Sequence, residues 1–203
     1  MSKKGLVLTI SVMLWVAAVG FGLHKLWRYA SNPGVVASAP ENWPAGTRLC
    51  FASDRATLLM FVHPHCPCSR ASMGELALIM TQCQGRLTAY VLFYTPRDFP
   101  ADWDKTDLWE KAAAIPDVNV LQDEDGIEAR RFNASTSGDT LLYDAHGSLL
   151  FSGGITASRG HSGDNAGRST VVSLLTEGAA SQRATMNSLR ACEAVRQRIG
   201  TSA

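Results

Sequence analysis

The sequence predicts an α/β domain with a central mixed sheet and flanking helices, preceded by a single N-terminal transmembrane helix. Two near-continuous apolar runs, 56–62 and 87–94, are typical of parallel strands in a sheet that is covered on both faces. Two shorter apolar runs, 140–144 and 148–152, are joined through a turn glycine, which is the pattern of an antiparallel hairpin. A further apolar stretch, 6–23, contains no charged residue and is just long enough to cross a bilayer.

The N-terminal segment favours an uncleaved anchor over a signal peptide. Lys3 and Lys4 precede the apolar run, and His24, Lys25 and Arg28 follow it, so the balance of positive charge alone does not set the orientation. The short basic N-terminus favours a cytoplasmic end with the bulk of the chain exported, since a long downstream domain crosses the membrane largely regardless of its charges. The run is long for the apolar region of a signal peptide, and the small residues 37–39, which resemble a cleavage box, lie far beyond it. We therefore expect an anchor over residues 1–30 that contacts membrane lipid through 6–23. A cleaved signal peptide is the alternative.

The rest of the chain divides into a linker and a globular domain. Residues 31–45 are rich in Pro, Gly, Ala and Ser, which predicts a tether, and the domain is expected over 46–203. The net charge is +1, and no basic stripe is interleaved with aromatic residues, so nothing in the composition points to a nucleic-acid partner. The five cysteines are an odd number, which excludes complete internal pairing.

Helices are expected between and after the predicted strands. The first follows the strand 56–62 and carries Met73, Leu76, Met80 and Cys83 on one apolar face. Beyond the second strand, the patterns predict a helix 106–114 that ends before Pro116, a short strand 118–121, a short helix 125–132, a helix 169–175 after a glycine-rich loop, and a last amphipathic helix 185–199.

Cys66 and Cys68 lie where the first strand passes into the first helix. Free backbone N–H groups and the positive end of the helix dipole favour a thiolate over a thiol at such a junction. Protonated His65 would add to this effect. A disulfide between residues two apart needs Cα atoms at the close end of the usual range of about 4.4–6.8 Å, so it would be strained and easily reduced. The junction therefore suits an oxidising couple, or one used briefly during turnover.

The same junction offers a possible metal-ligand set. His63, His65, Cys66 and Cys68 supply two imidazoles and two thiolates within six positions, a combination that suits copper or zinc. Side chains alternate along a strand, so the two histidines are able to point the same way. Loop ligands this close in sequence rarely all converge on one ion. A copper-binding or metallochaperone module is therefore the alternative to redox chemistry.

The order of the elements is that of the thioredoxin fold with an inserted strand and helix. The segments Asp123–Phe132 and Gly138–Gly147 resemble the second half of the membrane-tethered TlpA-like thioredoxins and peroxiredoxins. The segment His63–Ser72 resembles a small group of membrane-anchored bacterial proteins labelled RedB-like. Together these likenesses cover the chain from about Trp43 to Leu175, and they imply a thioredoxin-like fold.

The resemblance implies a thiol–disulfide oxidoreductase that exchanges with a protein thiol or disulfide and uses no cofactor. Cys66 takes the position of the family's attacking cysteine, and Cys68 is the candidate resolving cysteine. Two departures stand out: a single residue, Pro67, separates the cysteines where thioredoxins have two, and Gly138 stands where the family has a cis-proline facing the cysteines. The expected location is the bacterial inner membrane, with the domain facing the periplasm or the exterior.

The implied fold also brings the glycine-rich loop after the hairpin towards Cys66. Arg159 in this loop would stabilise a thiolate or bind an anionic or peroxide oxygen, and His161 would shuttle a proton or supply another ligand. Peroxide reduction, with Cys66 as the peroxidatic thiolate and Arg159 or Arg168 nearby, is the third possibility. Against it, His63 replaces the Thr or Ser that the family has three positions before this cysteine.

Several other residues have a structural role as the alternative to a chemical one. Asp164 or Asn165 is placed to cap the next helix. Cys83 and Cys192 lie on apolar helix faces and are expected to be core residues. Glu75 is expected either to be exposed on its helix or to lie behind the cysteines as a buried acid that takes part in proton transfer.

Overall fold

The computed structural model describes residues 2–31, 38–100 and 102–177 and divides the chain into two units, 1–34 and 35–203. In the first unit, helix α1 (Lys3–Ser31) is long and apolar enough to cross a membrane, a property that a signal sequence shares. Its large apolar side chains are exposed, with Leu14 and Trp15 each 67% accessible. A helix that is apolar all round is typical of a membrane span, and it is equally a feature of a signal sequence.

The second unit is an α/β domain built on a five-stranded mixed sheet. Its strands are β1 (Ala56–Val62), β2 (Leu87–Thr95), β3 (Val118–Glu124), β4 (Thr140–Tyr143) and β5 (Leu149–Gly153). Their order in the sheet is β3-β2-β1-β4-β5, in which β1, β2 and β3 are parallel and the hairpin β4–β5 pairs antiparallel with β1. The predicted parallel strands and hairpin are therefore confirmed.

Four helices are described in this unit: α2 (Ser69–Gln82), α3 (Asp107–Ala113), α4 (Ile127–Arg131) and α5 (Ala166–Glu177). All four were expected, but α5 begins three residues earlier than predicted, because Asn165 caps it by accepting the Arg168 N–H at 2.7 Å. The predicted helix 185–199 and Cys192 lie outside the described residues.

The central strand β1 is buried on both faces because its side chains alternate between two apolar layers. Leu58, Met60 and Val62 pack with α2, α3 and α5, and this layer includes the fully buried Cys83. Leu59 and Phe61 pack on the opposite face with Phe132 and Tyr143. Burial of each such side chain contributes about 1.5–3 kcal/mol, so β1 is a rigid base for the residues that follow it.

Residues 38–45 pack on the domain, whereas the sequence analysis assigns them to the linker 31–45. The predicted linker is therefore too long. The ring of Trp43 lies 5.1 to 5.4 Å, between centroids, from those of Phe51, Phe132 and Tyr143. The Trp43 N–H also donates to the Gly147 carbonyl at 2.7 Å. The composition of this stretch is that of a tether, but a single aromatic side chain buries enough apolar area to hold it. The domain therefore begins before the predicted position, 46.

Candidate functional site

Cys66 and Cys68 lie in the turn that joins β1 to α2. The Cys66 N–H donates to the His63 carbonyl at 3.0 Å, and the Cys66 carbonyl accepts the Ser69 N–H at 3.2 Å. Cys68 is the N-cap residue of α2. Both cysteines are free thiols with partly exposed side chains. The two sulfurs therefore lie at the N-terminal end of a helix, where solvent reaches them.

Two serine hydroxyls, Ser69 and Ser137, form a chain that ends at Cys66; we call this pair the hydroxyl chain. Ser69 is fully buried, and its hydroxyl contributes to the lowered pKa of the Cys66 thiol. The Ser69 Oγ lies 2.8 Å from the Ser137 Oγ, which in turn accepts the His63 N–H at 2.8 Å. The chain thus links the end of β1, the start of α2 and the segment before β4.

The pKa values of the two thiols are shifted in opposite directions. Burial raises the pKa of the Cys66 thiol, but hydrogen bonds from the Ser69 hydroxyl, from the backbone N–H groups of Cys68 and Ser69 and from the Cys68 thiol outweigh it. The pKa of Cys66 therefore lies below its ordinary value. Burial, the negative charge of Cys66 and the hydrogen bond to it raise the pKa of Cys68, while the charge of Arg159 lowers it only in part. Cys66 is the thiol that ionises first.

An aromatic cluster, His63, His65, Tyr94, Phe99 and Trp103, lies beside the cysteines at the carboxyl ends of β1 and β2. The Trp103 ring centroid is 4.6 Å from that of His65 and 5.5 Å from that of His63. The His65 Nε2–H donates to the Trp103 carbonyl at 3.1 Å, and the His63 Nδ1 accepts the His65 N–H at 3.3 Å. Burial and the nearby His65 lower the pKa of His63. Both imidazoles are therefore held within the cluster.

The predicted metal-ligand set is not assembled as a site. Within the ranges 2–31, 38–100 and 102–177, no group of three or more His, Cys, Asp or Glu side chains is close enough to hold a metal ion. His63 and His65 use ring nitrogens in the contacts just described. The stabilisation of Cys66 by protonated His65 stays a prediction, because the hydrogen bonds described for the Cys66 sulfur come from Ser69 and Cys68.

The glycine-rich loop, 153–167, is fixed to α2 by the buried side chain of Glu75. Its Oε1 accepts the Gly163 N–H at 2.9 Å, and its Oε2 accepts Asn165 Nδ2 at 3.2 Å and the Arg168 guanidinium at 2.5 Å. Arg168 also donates to the exposed Asp164 at 3.0 Å. Of the two roles expected for Glu75, exposure is wrong, and the buried carboxylate serves as an anchor for the loop.

This anchoring brings the loop next to Cys68. A Cβ added at Gly160 would lie 3.9 Å from the Cys68 Cα, and the charge of Arg159 acts on the Cys68 thiol. His161 is exposed, and its N–H donates to the Ser158 carbonyl at 3.1 Å. A chemical role for its imidazole stays a prediction. Of the two arginines expected for peroxide binding, Arg168 binds Glu75, whereas the charge of Arg159 acts on the Cys68 thiol.

Comparison with solved structures finds matches at low sequence identity. An uncharacterized conserved protein from Geobacillus kaustophilus has a TM-score of 0.57 at 17% identity, covering 74% of this chain and 87% of that one. A hypothetical protein from Sinorhizobium meliloti has a TM-score of 0.57 at 16% identity, covering 74% and 90%. A secreted Mycobacterium tuberculosis disulfide oxidoreductase homologous to E. coli DsbE has a TM-score of 0.46 at 15% identity, covering 63% and 84%. No protein-family model and no curated protein matches the chain.

The strand order, with the hairpin antiparallel to β1 and the cysteines ahead of α2, decides the fold. The domain has a thioredoxin-like fold. The expectation drawn from the sequence is confirmed at this level, and the likeness to the RedB-like group stays a prediction.

In this thioredoxin-like domain, Gly138 holds the hydroxyl chain in place. It is buried, and its N–H donates to the Phe61 carbonyl at 2.7 Å, which ties the segment before β4 to the end of β1. Its φ of 96° lies in the region that favours glycine, and a Cβ there would approach the Ser72 Oγ to 3.1 Å. The absence of a side chain lets this segment lie against α2, so that Ser137 reaches Ser69.

Sequence reasoning missed five residues of the site: Ser69, Ser137, Tyr94, Phe99 and Trp103. Ser69 falls in the quoted segment 63–72 and Ser137 directly precedes the segment 138–147, but nothing in their spacing shows that they meet, because they are 68 residues apart. Trp103 lies in an irregular loop, where no periodic pattern assigns it to a face. The one available signal was the position of Ser69, three residues after Cys66, which is one turn along the start of a helix.

Proposed function

We propose that this chain is a membrane-tethered thiol–disulfide oxidoreductase of the bacterial inner membrane, whose thioredoxin-like domain faces the periplasm or the exterior and acts through Cys66 and Cys68. The observation that carries the proposal is the asymmetry of the two thiols. A thiol with a lowered pKa stands at a helix N-terminus, hydrogen-bonded to a second thiol with a raised pKa. Such a pair suits an attacking thiolate and a thiol held in reserve.

In the first step, the Cys66 thiolate attacks one sulfur of a substrate disulfide. A bond forms between the Cys66 Sγ and that sulfur, the substrate S–S bond breaks, and the other substrate sulfur leaves as a thiolate that takes a proton from water. Cys66 and the attacked sulfur are then joined in a mixed disulfide. The partly exposed position of Cys66 supports this step, because the attacking thiolate has to meet the substrate sulfur directly.

In the second step, Cys68 attacks the Cys66 Sγ and releases the second substrate sulfur as a thiolate. The substrate disulfide has then become two thiols, and the two protein thiols have become one disulfide; the reverse sequence oxidises a dithiol. Formation of the mixed disulfide removes the Cys66 charge that raises the Cys68 pKa. Cys68 therefore ionises more easily once it is needed, with Arg159 favouring its thiolate.

The tether is supported by helix α1, which is exposed, apolar and long enough to span a bilayer. Thiol–disulfide couples persist in exported compartments, whereas the cytosol keeps most thiols reduced. The lysines ahead of the apolar run 6–23 favour export of the domain. The proposed partner is a protein thiol or disulfide, with lipid contacted through residues 6–23.

Trapping of the mixed disulfide tests the function. The full chain, purified in detergent, is incubated with a peptide that contains one disulfide, and adducts are identified by mass spectrometry. We expect Cys68→Ser to accumulate a peptide adduct on Cys66, Cys66→Ser to form none, and the unsubstituted chain to end with a Cys66–Cys68 disulfide. Cys50→Ser is the matched control, because Cys50 is also free and exposed.

Three outcomes contradict this function. An adduct that survives Cys66→Ser would assign the reactivity to another cysteine. Stoichiometric copper binding that is lost in Cys66→Ser and His65→Ala, with no adduct, would favour the metal module. Rapid formation of Cys66 sulfenic acid at micromolar peroxide, again with no adduct, would favour peroxide reduction.

A further inference from the structure

The rings of the aromatic cluster are arranged around Trp103. The centroid of its ring lies 4.6 Å from that of His65, 5.3 Å from that of Phe99, 5.5 Å from that of His63 and 6.4 Å from that of Tyr94. Phe99 is 53% accessible, more than any other large apolar side chain of the described domain, and Tyr94 is 37% accessible. The cluster is therefore an exposed aromatic surface, and it begins at the residue that directly precedes the attacking cysteine.

The loop that carries this surface, residues 96–106, is held at both ends. Near its start, the Arg97 N–H donates to the Asp125 Oδ1 at 3.0 Å. At its end, the Thr106 hydroxyl donates to the Pro64 carbonyl at 3.4 Å, which ties the loop to the turn that contains the cysteines. The surface is therefore formed before a partner arrives, and binding to it does not have to order the loop.

Two exposed carboxylates alternate with the rings of this loop. Asp98 directly precedes Phe99, and Asp102 directly precedes Trp103. In the part of the chain that the structure describes, neither carboxylate forms an ion pair, whereas the basic residues of the loop are paired with other carboxylates. The rim of the aromatic cluster therefore carries negative charge that no neighbouring cation neutralises by direct contact.

A third carboxylate, Asp104, is fully buried directly after Trp103. Its Oδ1 accepts the Gln122 Nε2–H at 3.0 Å, but its Oδ2 has no hydrogen-bond partner among the described residues. The ion pair described for it is with the exposed Lys105, at 3.8 Å. The charge of Asp104 is therefore only partly compensated, and it adds to the negative potential at this loop.

A surface of this kind favours a positive charge. The face of an aromatic ring is the negative part of its quadrupole and attracts an ammonium or a guanidinium group, most strongly over tryptophan. Carboxylates beside the rings attract the same group and repel an anion. An apolar side chain would pack on the rings but would bring the carboxylates no counter-charge. Charge complementarity therefore favours a basic side chain over an apolar one.

We propose that the aromatic cluster is the docking surface for a Lys or Arg side chain of the protein substrate, whose charge meets Asp98 and Asp102 while a substrate sulfur meets Cys66. An extended chain advances about 3.3 Å per residue, so a basic residue about two or three positions from the attacked cysteine reaches from Cys66 past His65 to Trp103. The inference rests on the proposed function and adds the chemical class of the substrate, which is a disulfide close to a basic residue.

The test compares disulfide peptides that differ at one position. Each peptide is a symmetric dimer of an acetylated sequence joined through its single cysteine, and the residue two positions after the cysteine is Lys, Gln, Leu or Glu. The full chain with Cys68→Ser, in which the adduct accumulates, is reduced and mixed with each peptide in detergent at about pH 8, where histidine side chains are neutral. Acid quenching and mass spectrometry give the rate of adduct formation on Cys66. Each rate is divided by the rate of the same peptide with dithiothreitol, because a nearby charge also changes the reactivity of the disulfide itself.

We expect the Lys peptide to react about five- to tenfold faster than the Gln peptide, and the Glu peptide to react most slowly. Joint substitution Asp98→Asn and Asp102→Asn should remove most of this preference and leave the rate of the Gln peptide unchanged. Phe99→Leu keeps an apolar side chain but removes the ring, so it should reduce the preference about two- to threefold. Glu110→Gln is the matched control and should keep the preference, because Glu110 is an exposed carboxylate on the following helix, α3.

Two results of this comparison overturn the inference while the oxidoreductase stands, because the adduct on Cys66 still forms. Equal corrected rates for the Lys and Gln peptides, or a Lys preference that survives both aspartate substitutions, show that the carboxylates do not select a basic residue. A Leu peptide that reacts faster than the Lys peptide assigns the surface to an apolar side chain instead.

The docking surface is also measured without disulfide chemistry. A Lys peptide with Ser in place of its cysteine is treated with the unsubstituted chain and a water-soluble carbodiimide, which joins an amine to a neighbouring carboxylate as an amide, and the products are mapped by mass spectrometry. We expect coupling at Asp98 or Asp102 ahead of Glu110. If no peptide forms an adduct on Cys66, preferential coupling at the two aspartates supports the docking surface and rejects the oxidoreductase, and coupling without preference rejects both.

Discussion

At the scale of single residues, the site gives two chemically identical thiols different tasks through their surroundings. Cys66 receives hydrogen bonds, whereas Cys68 donates one to Cys66 and experiences its charge. The charge on Cys66 helps to raise the pKa of Cys68, and the reaction itself removes this charge. The two thiols therefore ionise in the order of the two chemical steps. Arg159 is the residue that favours the second ionisation.

Replacement of Arg159 by Gln should therefore slow resolution without changing the first step. Loss of its positive charge raises the pKa of Cys68 further, so less Cys68 thiolate is present at neutral pH. Because Arg159 is exposed and its field is screened, we expect the mixed disulfide to persist only about two- to fivefold longer, and less so at high salt. The measurement, in chains that keep Cys68, is the decay of the mixed disulfide on Cys66 after rapid mixing with the peptide, with samples quenched in acid and analysed by mass spectrometry.

The slower resolution in Arg159→Gln should depend on pH, because it arises from a raised pKa of Cys68. The decay rates of Arg159→Gln and the unsubstituted chain should differ most below the pKa of Cys68. They should converge above it, where the Cys68 thiol is ionised in both proteins. Arg97→Gln is the control, since Arg97 is an exposed arginine paired with Glu124 and Asp125. A rate difference that is constant with pH would argue against an electrostatic role for Arg159.

The residues of the site differ in how far the sequence predicts them. Cys66 and Cys68 could be placed at a helix N-terminus because strand, turn and helix are local patterns. Ser137 could not be paired with Ser69, because their contact depends on how β4 is tied to β1 through Gly138. Site residues that lie within one turn of the chain can be predicted from the sequence, whereas a contact between two segments that are distant in the sequence cannot.

At the scale of elements, the contact between α2 and the glycine-rich loop depends on Glu75. The carboxylate is buried, and its oxygens accept from a backbone N–H, an amide and a guanidinium. Removal of one partner of a buried ion pair is strongly destabilising because the other charge is left uncompensated. The position of the loop that carries Arg159 next to Cys68 therefore depends on the ion pair between Glu75 and Arg168.

Glu75→Gln should lower the free energy of unfolding by about 2–4 kcal/mol, since it leaves the Arg168 guanidinium partly buried without its main partner. Urea denaturation followed by circular dichroism measures the loss. Asp164→Asn removes the other carboxylate that binds Arg168, but it does so at a fully exposed position. That variant should lose less than about 0.5 kcal/mol. Equal losses in the two variants would show that burial of Glu75 does not matter.

The loop also shows why the predicted start of α5 was late. Gly167 suggested loop rather than helix, because glycine weakens a helix interior. In the structure, a Cβ at Gly167 would overlap the Gly154 carbonyl, so the glycine lets α5 begin close against the preceding loop. The buried cap Asn165 then starts the helix one residue before Gly167. A packing requirement at this position outweighs helix propensity.

At the scale of the whole molecule, the chain combines an apolar helix with a domain whose fold was predictable and whose boundaries were not. The continuous apolar runs of β1 and β2 are strong signals because parallel strands are covered on both faces. The start of the domain was placed too late because a composition-based prediction gives little weight to one tryptophan. An exported domain of this kind would meet disulfides that are absent from most cytosolic proteins.

The anchor can be tested directly against the alternative of a cleaved signal peptide. We expect the expressed chain to retain its N-terminal residues by intact mass and to stay in the membrane fraction after alkaline carbonate extraction, because α1 is apolar over a full span. Replacement of Leu14 and Val16 by Asp places two charges near the centre of that span, where each costs about 2.5–3.5 kcal/mol of insertion. The double variant should therefore move to the soluble fraction. Replacement of the same two residues by Ala keeps the helix apolar and should leave the chain in the membrane. A mature chain that lacks residues 6–23 would instead identify the segment as a signal peptide, and the domain would then act without a tether.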